Sequence, residues 1–117
     1  MERMSSKQAS CTVPLGCRAM ARGAGEICVA VTGDIDHHRA AELRVYLDAL
    51  ICEDKPRCMY LDLSSIEFMD SSGLGLIMGR YTLLGRLGGR LIIEHPSPAA
   101  KRMIMLAAME RFINVVY

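Results

Sequence analysis

Residues 58–94 read CMYLDLSSIEFMDSSGLGLIMGRYTLLGRLGGRLIIE, and this stretch decides the fold class. Cys58–Leu63 is an apolar run of buried-strand type, closed by Ser64-Ser65, and Ile66–Met69 makes a short connection. An Asp/Ser cap at Asp70-Ser71-Ser72 opens a helix that starts at Ser71 or Ser72, runs to about Leu87 and stops at Gly88-Gly89. Arg90–Glu94 follows at once as another central strand. Strand, helix and strand in such quick succession require a crossover, and a crossover makes the two strands parallel.

The same alternation continues in both directions. Upstream, Ile27–Thr32 is apolar on both faces and β-branched, as a buried strand should be, and Gly33-Asp34 ends it. Asp36 then caps a helix carrying Ala40, Leu43, Leu47, Leu50 and Ile51 at helical spacing, with Pro56 as its stop. Cys17–Ala21 is a weaker strand, joined to the next by the turn Arg22–Gly25. Downstream, Pro96 and Pro98 punctuate, Ala99–Met109 reads as a last amphipathic helix, and Phe112–Tyr117 as a terminal strand or extended tail. Residues 1–15 have no period and include Pro14, which predicts a flexible tail followed by one domain over 16–117. The expected fold is α/β, a single mixed and mostly parallel β-sheet with helices packed on it.

Composition removes several function classes. The chain has 117 residues, the size of one domain, with 14 Lys+Arg against 13 Asp+Glu and 51% hydrophobic residues. Near-neutrality at 23% charged residues argues against both a disordered polyelectrolyte and a general nucleic-acid binder. The charge is nonetheless uneven: residues 1–25 carry +3, residues 26–70 carry −6 and residues 71–117 carry +4. Cys11, Cys17, Cys28, Cys52 and Cys58 are odd in number and form no C-x-x-C pair, so neither a disulfide framework nor a metal site is indicated. A reducing cytoplasm fits best, since the first residues lack a signal-peptide core and no apolar run reaches membrane-spanning length.

Catalytic constellations are absent from the pattern. His37 and His38 are adjacent and would diverge on a helix, His95 stands alone before Pro96, and no phosphate loop, dinucleotide fingerprint or nucleophile elbow occurs. No cofactor and no metal are expected. The nine Met residues sit mostly on apolar faces, Met59, Met78, Met103 and Met105 among them, and read as core fillers.

The unusual segment is Met69–Tyr81. Three glycines, Gly73, Gly75 and Gly79, fall early in its helix, each costing up to about 1 kcal/mol relative to alanine, so something should offset them. On a helical wheel Leu74, Ile77, Met78 and Tyr81 form an apolar face, while Ser72, Gly75, Gly79 and Thr82 form a small-residue stripe. Packing on its own sheet and docking a partner explain that stripe equally well. Ser71 and Ser72 at an exposed helix start also make a phosphoacceptor, where the positive end of the helix dipole tolerates added charge. Simple N-capping by Asp70, Ser71 and Ser72 is the blander alternative.

The run Phe68-Met69-Asp70-Ser71-Ser72-Gly73-Leu74-Gly75, with Gly79-Arg80-Tyr81, Ser97-Pro98-Ala99, Lys101-Arg102 and the upstream Gly33-Asp34-Ile35-Asp36-His37-His38, resembles the anti-sigma factor antagonists of the STAS group. Within that group it is similar to the sporulation antagonists that act on the anti-sigma F factor. The resemblance covers roughly residues 16–117 and implies a STAS fold. It further implies a non-enzymatic regulator whose unphosphorylated form binds an anti-sigma factor, itself a serine kinase of the histidine-kinase-like ATPase type, and so frees the sigma factor. By the same resemblance Ser71 is the phosphorylated residue, a metal-dependent serine phosphatase reverses the modification, and Asp36, Asp70, Ser72, Gly73, Leu74 and Gly75 belong to the partner-binding surface. Members of the group usually continue past the last strand into a further helix, whereas this sequence ends at Tyr117. Three alternatives stay open: a STAS antagonist of a general stress-response pathway, a nucleotide-binding module with phosphate at the Ser71 helix mouth, and an enzyme with Ser71 as nucleophile, the last disfavoured because no base is visible.

Overall fold

In a computed structural model that describes residues 12–117, the chain forms one five-stranded sheet in the order β1-β2-β3-β4-β5. The strands are β1 (Cys17–Gly23), β2 (Glu26–Ile35), β3 (Cys58–Met69), β4 (Arg90–Glu94) and β5 (Asn114–Val116). The helices are α1 (His37–Asp54), α2 (Ser71–Arg86) and α3 (Pro98–Leu106), followed by a 3-10 turn at Met109–Arg111. β1 pairs antiparallel with β2 through the tight turn at Ala24-Gly25, and every later pair is parallel.

Because each parallel strand is added beside the last one, right-handed crossovers put all three helices on the same face of the sheet. Ile27, Val29 and Val31 of β2, Met59, Leu61 and Leu63 of β3, and Leu91 and Ile93 of β4 point to that face and join Leu43, Leu47, Leu50, Ile51, Ile77, Leu84 and Ile104 in one core. The two-sided burial that composition predicts holds for β4, where Leu91, Ile92, Ile93 and Glu94 are all buried, but not for β2 or for β3 beyond Cys58. On the other face Cys28, Ala30, Tyr60 and Asp62 are half-buried, and Arg22 reaches across Tyr60, 4.0 Å from the ring centroid, to place Nη1 2.8 Å from Glu94 Oε1. An apolar run reads as core, yet here small and amphipathic side chains under an Arg–Tyr–Glu lattice suffice for the open face.

Three boundaries also differ from expectation. β2 runs through Gly33-Asp34 to Ile35, and β3 runs through Ser64-Ser65 to Met69, because the two strands keep pairing with each other after β1 and β4 have ended. The last helix stops at Leu106 and not Met109, since Ala108 takes a left-handed conformation at φ 52°. Phe112–Tyr117 resolves into a short strand, Asn114–Val116, hydrogen-bonded to β4. The predicted tail over 1–15 lies largely outside the described residues, and Thr12–Leu15 carry neither helix nor strand. Among the described residues no helix is long and apolar enough to cross a membrane.

Candidate functional site

The prolonged β2–β3 ribbon carries the site. Its last ladder pair is Ile35 with Met69, and the residues that follow, Asp36 and Asp70, cap α1 and α2. Asp70 N–H donates to the Ile35 carbonyl at 3.2 Å, which locks the two helix mouths side by side at one end of the sheet. The caps are near copies: Asp36 has φ −101° and ψ −175°, and Asp70 has φ −103° and ψ −170°. Asp36 Oδ1 accepts from Arg39 N–H at 2.8 Å, and Asp70 Oδ1 accepts from Ser72 N–H at 2.8 Å, so each carboxylate satisfies an otherwise orphaned helix donor.

Ser71 follows Asp70 and is exposed, and among the described residues none holds its hydroxyl. Ser72 and Leu74 are half-buried, Gly75 is exposed, and Gly73 is buried beneath them. Gly73 has a packing reason to be glycine, since a Cβ there would stand 2.5 Å from Met69 Cγ. Gly75 and Gly79 have none: a Cβ at either would meet nothing within 4 Å. The stripe Ser72, Gly75, Gly79 and Thr82 thus lies on the surface and does not pack on its own sheet. Beside it a shallow recess of about 300 Å³ opens between α2 and the end of α3, lined by Leu74, Gly75, Met78, Met109 and the exposed Phe112.

The apolar face of α2 is rotated from its predicted place. Leu76, Ile77 and Leu84 enter the core, while Leu74, Met78 and Tyr81 are only partly buried against it. Arg80, in line with Leu76 and Leu84, is buried at 7% exposure with Nε 2.9 Å from Asp48 Oδ1 of α1. Burial pushes the Arg80 guanidinium below its ordinary pKa, against the pull of the Asp48 carboxylate. This pair ties α1 to α2 behind their mouths. The sequence signal for it was slight: an aspartate within the α1 stripe and an arginine at i+4 from one leucine and i−4 from another.

A model of the STAS domain family matches residues 18–117. The chain belongs to that family. Among its STAS relatives is an anti-sigma F factor antagonist of Paenibacillus polymyxa, 31% identical over 91 residues that span 78% of each chain. An anti-sigma-B factor antagonist of Bacillus subtilis strain 168 is 28% identical over 90 residues, 77% of this chain and 81% of that one. In structure, the STAS domain superposes on an anti-sigma factor antagonist from Mycobacterium paratuberculosis with a TM-score of 0.74 at 27% identity, covering 91% of this chain and 90% of the other. The structure places Asp36 beside Asp70–Gly75, which the sequence holds in two separated segments; what sequence reasoning missed in this STAS domain was the pairing of both helix mouths through Ile35 and Met69, and the contacts of Arg39 and Arg80 behind them.

Proposed function

We propose that this STAS domain is a cytoplasmic anti-sigma factor antagonist switched by phosphorylation of Ser71. Its unphosphorylated form binds an anti-sigma factor that is also a serine kinase, and thereby releases a sporulation sigma factor. Ser71 Oγ attacks the γ-phosphorus of kinase-bound ATP, the bond to the β-phosphate oxygen breaks, ADP leaves, and the hydroxyl proton passes to a base of the kinase. A metal-dependent serine phosphatase hydrolyses the ester and restores the binding form. The domain is the substrate of both enzymes and the catalyst of neither step.

One observation carries the reading: an exposed serine at a helix mouth adjoins a surface whose two glycines have nothing above them in the free chain. Glycine inside a helix is unfavourable, and a partner backbone in close approach supplies the missing reason. Asp36, Asp70, Ser72, Leu74 and Gly75 frame that surface, Gly73 lets the turn beneath it close, and the recess beside Phe112 gives it an apolar rim. A phosphate on Ser71 adds roughly −1.5 to −2 charges next to Asp70 and Asp36. Unit charges 4 Å apart interact by about 4 kcal/mol at the dielectric of a protein surface. Changing a complex from almost all bound to almost all free takes about 5.5 kcal/mol, a size that a doubly charged group with its desolvation and bulk reaches.

The test uses the histidine-kinase-like anti-sigma protein encoded in the same genome. With ATP it should phosphorylate the chain, peptide mass spectrometry should locate the phosphate on Ser71, and Ser71→Ala should bind the partner in ADP yet resist switching. Phosphate on another residue, or none, overturns the assignment. A second reading, antagonism in a general stress-response pathway, draws on the comparable identity to the anti-sigma-B antagonist. Pull-down against both kinase types separates the two.

A further inference from the structure

Strand β2 does not run straight into Asp36. Its register with β3 slips between Ala30 and Thr32 and again between Gly33 and Asp34, and Gly33 has φ +90°. Such irregularities leave backbone groups outside the ladder and re-aim whatever follows them, which here is the Asp36 mouth.

The Arg39 side chain, half-buried, sits at this bend. Its Nη1 donates to the Asp34 carbonyl and its Nη2 to the Leu15 carbonyl, both at 2.7 Å, while its backbone N–H donates to Asp36 Oδ1 at 2.8 Å. A single residue thus joins the end of β2, the cap of α1 and the segment that enters β1. The path is cleared for it by two glycines in left-handed conformations: a Cβ at Gly16 would stand 2.8 Å from Arg39 Nη2, and one at Gly33 would stand 3.4 Å from Nη1. The guanidinium offers these donors in a fixed planar fork, whereas a lysine ammonium is a point donor on a shorter reach. Charge-assisted bonds of this kind are the stronger class.

We propose that Arg39 is a positioning residue for the partner surface: by bridging the Leu15 and Asp34 carbonyls it sets the Asp36 mouth against the Ser71 mouth and makes residues 12–16 an input to partner affinity. The proposal rests on the antagonist reading. The molecule supplies its own control at the other end of the strands, where Arg57 Nη2 donates to the Ala24 carbonyl at 2.9 Å, the same chemistry away from both mouths.

Calorimetry on the full chain with the anti-sigma kinase and ADP, paired with urea unfolding, tests it. Arg39→Gln should weaken binding about tenfold, which is about 1.4 kcal/mol. Arg39→Lys, which keeps the charge and guards against a variant that fails to fold, should recover little of that loss, and Arg57→Gln should stay within about twofold of the parent. Arg39→Gln combined with Asp36→Ala should lose less than the sum of the single losses, because both act through one mouth. Parent-like binding of Arg39→Gln, fully additive losses, or an equal loss in Arg57→Gln would each overturn the proposal. Should the parent chain itself not bind, the antagonist reading fails on its own. Amide exchange then decides the positioning: faster exchange across residues 36–40 in Arg39→Gln is expected, and unchanged exchange refutes it.

Discussion

The mouths of α1 and α2 are built alike and filled differently. Each follows one strand of the same ribbon, each is capped by an aspartate with nearly the same backbone angles, and each carboxylate holds one amide at 2.8 Å. Behind Asp36, α1 has no glycine and buries Leu43, Tyr46, Leu47, Leu50 and Ile51 in the core. Behind Asp70, α2 spends its first three turns on Ser71, Ser72, Gly73, Gly75 and Gly79. Capping accounts for both aspartates and for nothing more. The surplus at the second mouth, an exposed hydroxyl and two glycines with open space above them, is what the proposed partner surface accounts for.

Gly73 gives the largest expected effect on the fold and the first way to break this contrast. Gly73→Ala puts a Cβ 2.5 Å from Met69 Cγ, and overpacking of that kind costs about 1–3 kcal/mol. Alanine returns less than about 1 kcal/mol in propensity. Urea unfolding should therefore show a net loss; a gain would mean that Met69 yields freely and that Gly73 belongs with its exposed neighbours.

The caps come next. Asp36→Ala and Asp70→Ala should each cost about 1 kcal/mol, because the two carboxylates do the same work on their own helices. Matched thermal or urea unfolding compares them. A much larger loss at Asp70, the more buried of the pair, would show that it braces the ribbon as well as capping α2.

What the sequence conveyed, and what it hid, follows the same division. Both caps, the core stripe of α1 and the order of strands and helices were legible, since each rests on local chemistry. The length of β3 was not: its buried positions Leu63, Ile66 and Met69 are three apart, because the register slips opposite them break the alternation that marks a strand. The half-open outer face of β2 was hidden because Cys28 and Ala30 look like core whichever face they take. The end of α3 was hidden because Ala108, not a glycine, adopts the left-handed turn. Of the site, Ser71 and its neighbours were visible as a motif. The ties that aim it, Arg39 to two carbonyls and Arg80 to Asp48, join residues far apart in sequence and leave no periodic trace.

The smallest expected effect separates the two mouths most sharply. Gly75 and Gly79 have helical backbone and open space above them, so alanine meets no obstacle in the free domain. Gly75→Ala and Gly79→Ala should each stabilise the isolated chain by about 0.5–1 kcal/mol, through higher helix propensity and a less flexible unfolded state. If a partner backbone approaches this stripe, the same methyl groups stand in its way, and affinity for the anti-sigma kinase should fall while stability rises. Opposite signs from one substitution cannot come from damage to the fold, because damage would lower both. Parallel gains, with binding unchanged, would remove the stripe from the partner surface and leave Gly75 and Gly79 without a cause.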